Sequence, residues 1–213
     1  VLSKFSLAAT ITLMLASWIV LAIGKDISNK VANRRSTLAG LKSLSLSYYG
    51  MVLAHNGIAV MLIGAALTSF FSEERSVLLA PGESVELGGY LFTLEGSERI
   101  EGPNYIGDEA ELTVINDGEL LTVLYPQRRL YVASGTPSTE MAIDAGFFRD
   151  LFVTLGEQKG SGAWSMTLYV KPFVRWIWLG AIFMAIGGSL AAGDKRYRRL
   201  RIEACLLYTS PSP

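Results

Sequence analysis

A single cysteine and a single histidine in 213 residues remove several chemistries at once. Lone Cys205 excludes an intrachain disulfide and any Cys-x-x-Cys redox or zinc site within this chain. Lone His55 sits in a long uncharged apolar stretch, so a Ser-His-Asp triad would need partners at membrane depth. No Walker loop and no Gly-x-Gly-x-x-Gly segment opens a helix, so the phosphate-cradling motifs are missing too. Asp, Glu, Lys and Arg are absent from residues 5–24, 43–72 and 176–193. A spanning helix needs about 20 mainly apolar residues, and each run meets or nearly meets that length. The first run is not read as a secretory signal peptide, because neither an initiator Met nor a small-residue cleavage site accompanies it. A chain opening Val-Leu-Ser-Lys is expected to lack an N-terminal portion.

The charges that are present balance at 19 of each sign, yet they are segregated. Residues 25–47 carry five basic side chains against Asp26, and residues 194–203 carry five against Asp194 and Glu203. Residues 73–171 hold 7 basic and 16 acidic side chains, a net of −9. Lys and Arg in short loops near span ends mark the cytoplasmic side. That rule places both basic segments in the cytoplasm and residues 73–171 outside. Three spans satisfy it without conflict. Juxtamembrane charge accounts for the basic runs, so lipid rather than nucleic acid is the expected partner there. The expected fold class is an integral membrane α-helical protein with three transmembrane helices and an inserted small periplasmic all-β domain, sandwich or barrel-like. The expected boundaries are a transmembrane helix over 5–24, a cytoplasmic basic loop over 25–47 and a transmembrane helix carrying His55 over 48–72. They continue with the β domain over 73–171, a third transmembrane helix over 173–193 and a cytoplasmic basic tail over 194–204. Residues 205–213, Cys-Leu-Leu-Tyr-Thr-Ser-Pro-Ser-Pro, depart abruptly from the basic tail and are set aside as non-native.

Within the β domain, residues 111–125 are two β-prone runs joined at Asp117-Gly118, a hairpin signal. Trp164, Met166, Leu168 and Val170 alternate with polar neighbours, as an edge between core and solvent requires. Short runs at 84–87 and 90–94 are separated by the Gly88-Gly89 turn. Residues 140–155 fit a helix or a strand. The acidic residues, scattered and mostly flanking turns, read as a solvated surface able to attract a basic partner. Trp176 and Trp178 suit the headgroup level, with Arg175 beside them.

His55 carries the chemical question, because an imidazole in hydrocarbon needs a partner. Gly50, Gly57 and Gly64 recur every seven residues with Ala54 between the first two. Such a stripe admits close approach by another helix or by a flat ligand. The residues alone leave three roles open for His55: a hydrogen bond to a neighbouring helix, a haem or metal ligand, or a proton relay. One histidine supplies one ligand, so a six-coordinate haem iron needs a second from elsewhere.

The segment Gly50-Met-Val-Leu-Ala-His-Asn-Gly-Ile-Ala-Val resembles a late membrane helix of the CcmF family of cytochrome c-type biogenesis proteins. The similarity continues through Gly102-Pro-Asn-Tyr105, Tyr125-Pro-Gln-Arg-Arg-Leu-Tyr131 and Arg149-Asp-Leu-Phe-Val-Thr-Leu-Gly-Glu157 to Lys171-Pro-Phe-Val-Arg-Trp-Ile-Trp178, covering roughly residues 1–199. The resemblance implies a component of the bacterial system I haem lyase. With a CcmH-type partner, such proteins take haem from a CcmE-type chaperone and attach it to apocytochrome c on the periplasmic face of the inner membrane. It further implies a membrane-embedded haem b, with His55 as one axial ligand to the iron and with quinol as a source of electrons. Ala54 and Gly57 are expected to pack close to that haem. The family's tryptophan-rich segment, its flanking periplasmic histidines and its first haem histidine have no counterpart here, so this chain is not expected to perform ligation alone. Asn56 departs from the apolar residue usual in the family.

Overall fold

Charge-free runs have no backbone partner in lipid except themselves, so they close into helices. The computed structural model describes residues 7–32, 36–160 and 162–194 and shows three long helices, α1 (Leu7–Ala32), α3 (Leu46–Phe71) and α4 (Val174–Gly193), with the short α2 (Thr37–Lys42) after α1. Each long helix has the length and composition to cross a membrane. The chain forms two compact units, one built from the spanning helices and one from the β domain with the helix ends that lead into it.

In the helical unit, α1 runs on past the charge-free stretch through Lys25, Asp26 and Lys30 to Ala32, and α2 follows within the segment 25–47. Charge marks where the apolar run stops, whereas the helix continues as long as its backbone and side chains find partners. Lys30 Nζ lies 2.9 Å from Asp26 Oδ1 one turn earlier. Tyr48 donates its hydroxyl to Asp26 Oδ2 at 2.7 Å, and Lys30 Nζ sits 5.0 Å from the centre of the Tyr48 ring. Ser36 caps α2 by accepting from the Ala39 N–H. Asp194 closes the same end of the unit, accepting from the Ser47 N–H at 3.1 Å in the first turn of α3, where the helix dipole favours a carboxylate. The basic tail beyond Asp194 and the 205–213 segment lie outside the described residues.

The β unit is a sandwich of two antiparallel sheets. Its strands are β1 (Glu73–Leu79), β2 (Ser84–Leu87), β3 (Tyr90–Glu101), β4 (Tyr105–Asn116), β5 (Glu119–Leu124), β6 (Gln127–Tyr131), β7 (Thr136–Glu140), β8 (Ala142–Ala145), β9 (Arg149–Lys159) and β10 (Ala163–Pro172). One sheet has the order β1-β10-β9-β8; the other runs β2-β3-β4-β6-β7, with β5 also paired to β4. Asp117 and Gly118 both take positive φ, 52° and 83°, as a two-residue hairpin turn between β4 and β5 requires. Residues 140–155, open on sequence, form β8 and most of β9. A helix there would leave β10 without the partner that it pairs with from Lys159 to Arg149.

Alternation along the strands places Phe92, Leu94, Leu112, Val114, Leu151, Val153, Leu155, Met166 and Leu168 between the sheets, each almost wholly buried. Trp164 bridges the layers: its indole N–H on β10 donates to Ser97 Oγ on β3 at 2.9 Å. Not every acidic residue is solvated. Asp150 is buried at the start of β9, where it accepts from the Gly146 N–H and faces Arg175 at 3.8 Å. Leu112 is fully enclosed on a central strand. Leu112→Ala is expected to destabilise the sandwich by about 2–5 kcal/mol, read as a lowered urea midpoint; an unchanged midpoint would contradict the core assignment.

Candidate functional site

α3 positions the lone histidine nine residues after its start at Leu46, roughly 14 Å along the axis at about 1.5 Å per residue. The His55 ring is exposed, and its Nδ1 lies 2.8 Å from the Met51 carbonyl one turn back. A carbonyl only accepts, so this contact requires the proton on Nδ1. The lone pair is then on Nε2, the nitrogen directed away from the helix's own backbone. Asn56 is spent locally, donating from Nδ2 to the Val52 carbonyl at 2.9 Å.

The opposite side of α3 is closed. A Cβ on Gly50 would meet the Gly187 carbonyl at 2.5 Å, and one on Gly57 would meet the Gly180 carbonyl at 2.7 Å. The relation is reciprocal, since a Cβ on Gly180 would lie 2.5 Å from the Gly57 carbonyl and one on Gly187 would lie 2.5 Å from the Ala54 nitrogen. Two glycines seven residues apart on α3 therefore face two glycines seven residues apart on the antiparallel α4. The side of α3 that carries Gly50, Ala54 and Gly57 is filled by the α4 backbone. Successive residues turn by about 100°, so His55, two residues from Gly57, lies roughly on the far side of α3. The small-residue stripe and the histidine therefore serve different faces. The sequence signal that would have revealed the partner is the matching pair Gly180 and Gly187 in the third charge-free run.

Among the described residues no group of three His, Cys, Asp or Glu side chains is arranged to hold a metal ion. Any metal chemistry on this helix therefore depends on His55 with ligands that its own neighbours do not supply. The β unit offers two clefts of opposite charge. Glu95, Glu98, Glu109 and Glu111 line one together with Tyr125, and Arg99, Arg128 and Arg129 line the other around Asp108. Arg128 is paired with Glu157 at 3.0 Å, and Arg129 lies over the Tyr105 ring at 4.3 Å. Burial and the adjacent Glu111 hold the Tyr125 phenol above its ordinary pKa, so it stays a donor to Glu111 Oε1.

Residues 70–172 match the family model described as the CcmF C-terminal beta-sandwich. Over 194 residues the chain is 47% identical to the cytochrome c-type biogenesis protein CcmF of Pseudomonas aeruginosa, covering 91% of this chain and 29% of that protein. Over 197 residues it is 40% identical to CcmF of Escherichia coli, covering 92% and 29%. A solved structure described as cytochrome c heme lyase CcmF shares the fold, with a TM-score of 0.71 at 23% identity over 89% of this chain and 31% of that one. The chain thus spans less than a third of the length of the curated relatives it matches.

The glycine seam makes a direct prediction. Gly57→Leu is expected to separate α3 from α4 and lower the thermal midpoint in detergent, at a cost of about 1–3 kcal/mol. A midpoint equal to that of the unsubstituted protein would show that the two backbones do not meet there.

Proposed function

Because the chain belongs to the CcmF family of cytochrome c-type biogenesis proteins, we propose that it contributes the second half of an intramembrane haem b site to a haem lyase, with His55 as one axial ligand. The observation that carries this reading is the bond from His55 Nδ1 to the Met51 carbonyl, which sets the tautomer with Nε2 free to ligate. Histidines that bind metals commonly donate the other ring N–H to a carbonyl in this way. Exposure of the ring, on the face away from the α4 seam, suits the approach of a further helix carrying the second histidine. The residues present therefore fit one axial position. When bound, such a haem supplies one-electron redox chemistry.

The remainder of the reading follows the family. The backbone of its own helix orients the His55 ring through the Met51 carbonyl. Both basic segments face the cytoplasm of a bacterial inner membrane, and the β sandwich faces the periplasm. There, with a CcmH-type partner, the protein would take haem from a CcmE-type haem chaperone for covalent attachment to apocytochrome c, with quinol as the electron source. On this orientation His55 lies in the inner-leaflet half of its span. A His55→Ala variant of the full-length protein is expected to lose its b-type haem by pyridine haemochrome assay and to lower cytochrome c maturation. Wild-type haem content in that variant would sink the assignment.

Charge favours a second role for the β sandwich as a docking surface for a basic partner. Glu98 stands opposite Glu109 in the β3–β4 register, in the cleft that Glu95 and Glu111 complete. Carboxylates so placed attract a cationic surface, and exposed attraction is screened over about 8–10 Å at moderate salt. Affinity of the full-length protein for a lysine-rich apocytochrome is expected to fall as salt rises, and to fall further in Glu98→Gln. Affinity independent of salt would exclude electrostatic docking at this cleft.

A further inference from the structure

The turn between β8 and β9 presents two large aromatic rings to the outside. Phe147 is 53% exposed and Phe148 61%. They stack edge to face with centroids 5.0 Å apart, and Phe148 packs in the same manner against Phe173 at 5.9 Å. The turn is firmly built: the Gly146 N–H is directed at the Arg149 carbonyl and at Asp150 Oδ1, and Arg149 is paired with Asp144. A rigid turn that holds two phenylalanines outward needs an apolar or interfacial environment for them.

The position of the turn identifies that environment. β9 begins at Arg149, directly opposite Pro172 at the end of β10. The turn therefore projects past the end of β10, beside Phe173, whose N–H donates to the Phe148 carbonyl at 2.9 Å. The next residue, Val174, starts the spanning helix α4. The last turn of the other spanning helix reaches the same level, since Thr68 on α3 donates its hydroxyl to the Pro172 carbonyl at 2.6 Å. Both chain crossings thus meet the β sheet at the strand end from which Phe147 and Phe148 project. Arg175 follows on α4, and Trp176 and Trp178 come next in sequence, a composition suited to the headgroup zone.

We infer that the Phe147-Phe148 turn is an interfacial membrane anchor, inserted among the lipid headgroups of the bilayer that α3 and α4 cross. The occupant is lipid. A protein partner would have to displace headgroups from a site one residue from a chain crossing. The anchor gives the sandwich a third attachment at its membrane end, in addition to the two covalent ones.

The test uses the full-length protein in phosphatidylcholine nanodiscs, with its own cysteines replaced by Ser and a single cysteine placed by Phe147→Cys, labelled with an environment-sensitive fluorophore. Ala133→Cys, in the turn between β6 and β7, serves as the reference. Lipids carrying a nitroxide high on the acyl chain are expected to quench the label at position 147 at least threefold more than the label at 133, while aqueous iodide quenches it less. Equal quenching at the two positions would overturn the inference in favour of a solvent-exposed turn. Protection from both quenchers would overturn it in favour of a covering protein segment. Phe148→Cys repeats the measurement if the first variant does not fold.

Discussion

The backbone contact between α3 and α4 fixes the rotation of the histidine helix, and the functional reading depends on that rotation. Lipid tails are as apolar as leucine side chains, so spanning helices gain little from hydrophobic burial against each other. What holds them is close packing, and the closest packing belongs to glycine. Gly50 faces Gly187 and Gly57 faces Gly180, with no space for a Cβ at any of the four positions. A helix pinned at two points one heptad apart cannot roll without a clash. The roll it adopts places His55 on the far side. The small residues that on sequence admit either a helix or a flat ligand hold the α4 backbone, leaving the imidazole on the other face.

That outward imidazole is also conditioned by its own helix. A histidine on a helix surface can keep either ring nitrogen protonated, and the choice determines which atom can coordinate. The Met51 carbonyl lies 2.8 Å from Nδ1 and removes the choice. Helix rotation and ring tautomer are thus set by two independent local constraints. One comes from a neighbouring helix and the other from a backbone carbonyl one turn away.

Much of this was legible in the residues, for a definite reason. Spans announce themselves because charge is expelled from lipid, and strands such as β10 because one face is buried and the other wet. The Asp117-Gly118 hairpin was legible because few dipeptides accept two positive φ angles. What escaped were features settled by a partner distant in sequence. The extension of α1 past Lys25 depends on Tyr48 reaching Asp26. The burial of Asp194 depends on the Ser47 N–H. The strand identity within residues 140–155 depends on β9 pairing with β10 and β8 pairing with β9. The role of Gly57 needed Gly180, 123 positions later, and a one-sided stripe cannot say whether its complement is a helix or a cofactor.

The junction between helix and sheet carries the same logic from the membrane into the β unit. Single residues, Ser72 and Phe173, link the strands to the helix ends. Here the α3 end is tied to Pro172 through Thr68, and the start of α4 is tied to the β8–β9 turn through the Phe173 N–H. Phe173 takes φ of 58°, a left-handed conformation that an aromatic residue rarely adopts. That conformation turns the chain abruptly from strand into helix, and it persists because Phe148 supplies both a backbone acceptor and a ring to pack against. The strain at Phe173 and the exposed phenylalanines of the turn therefore belong to one device. It makes the sharp corner at which an extended chain becomes a helix.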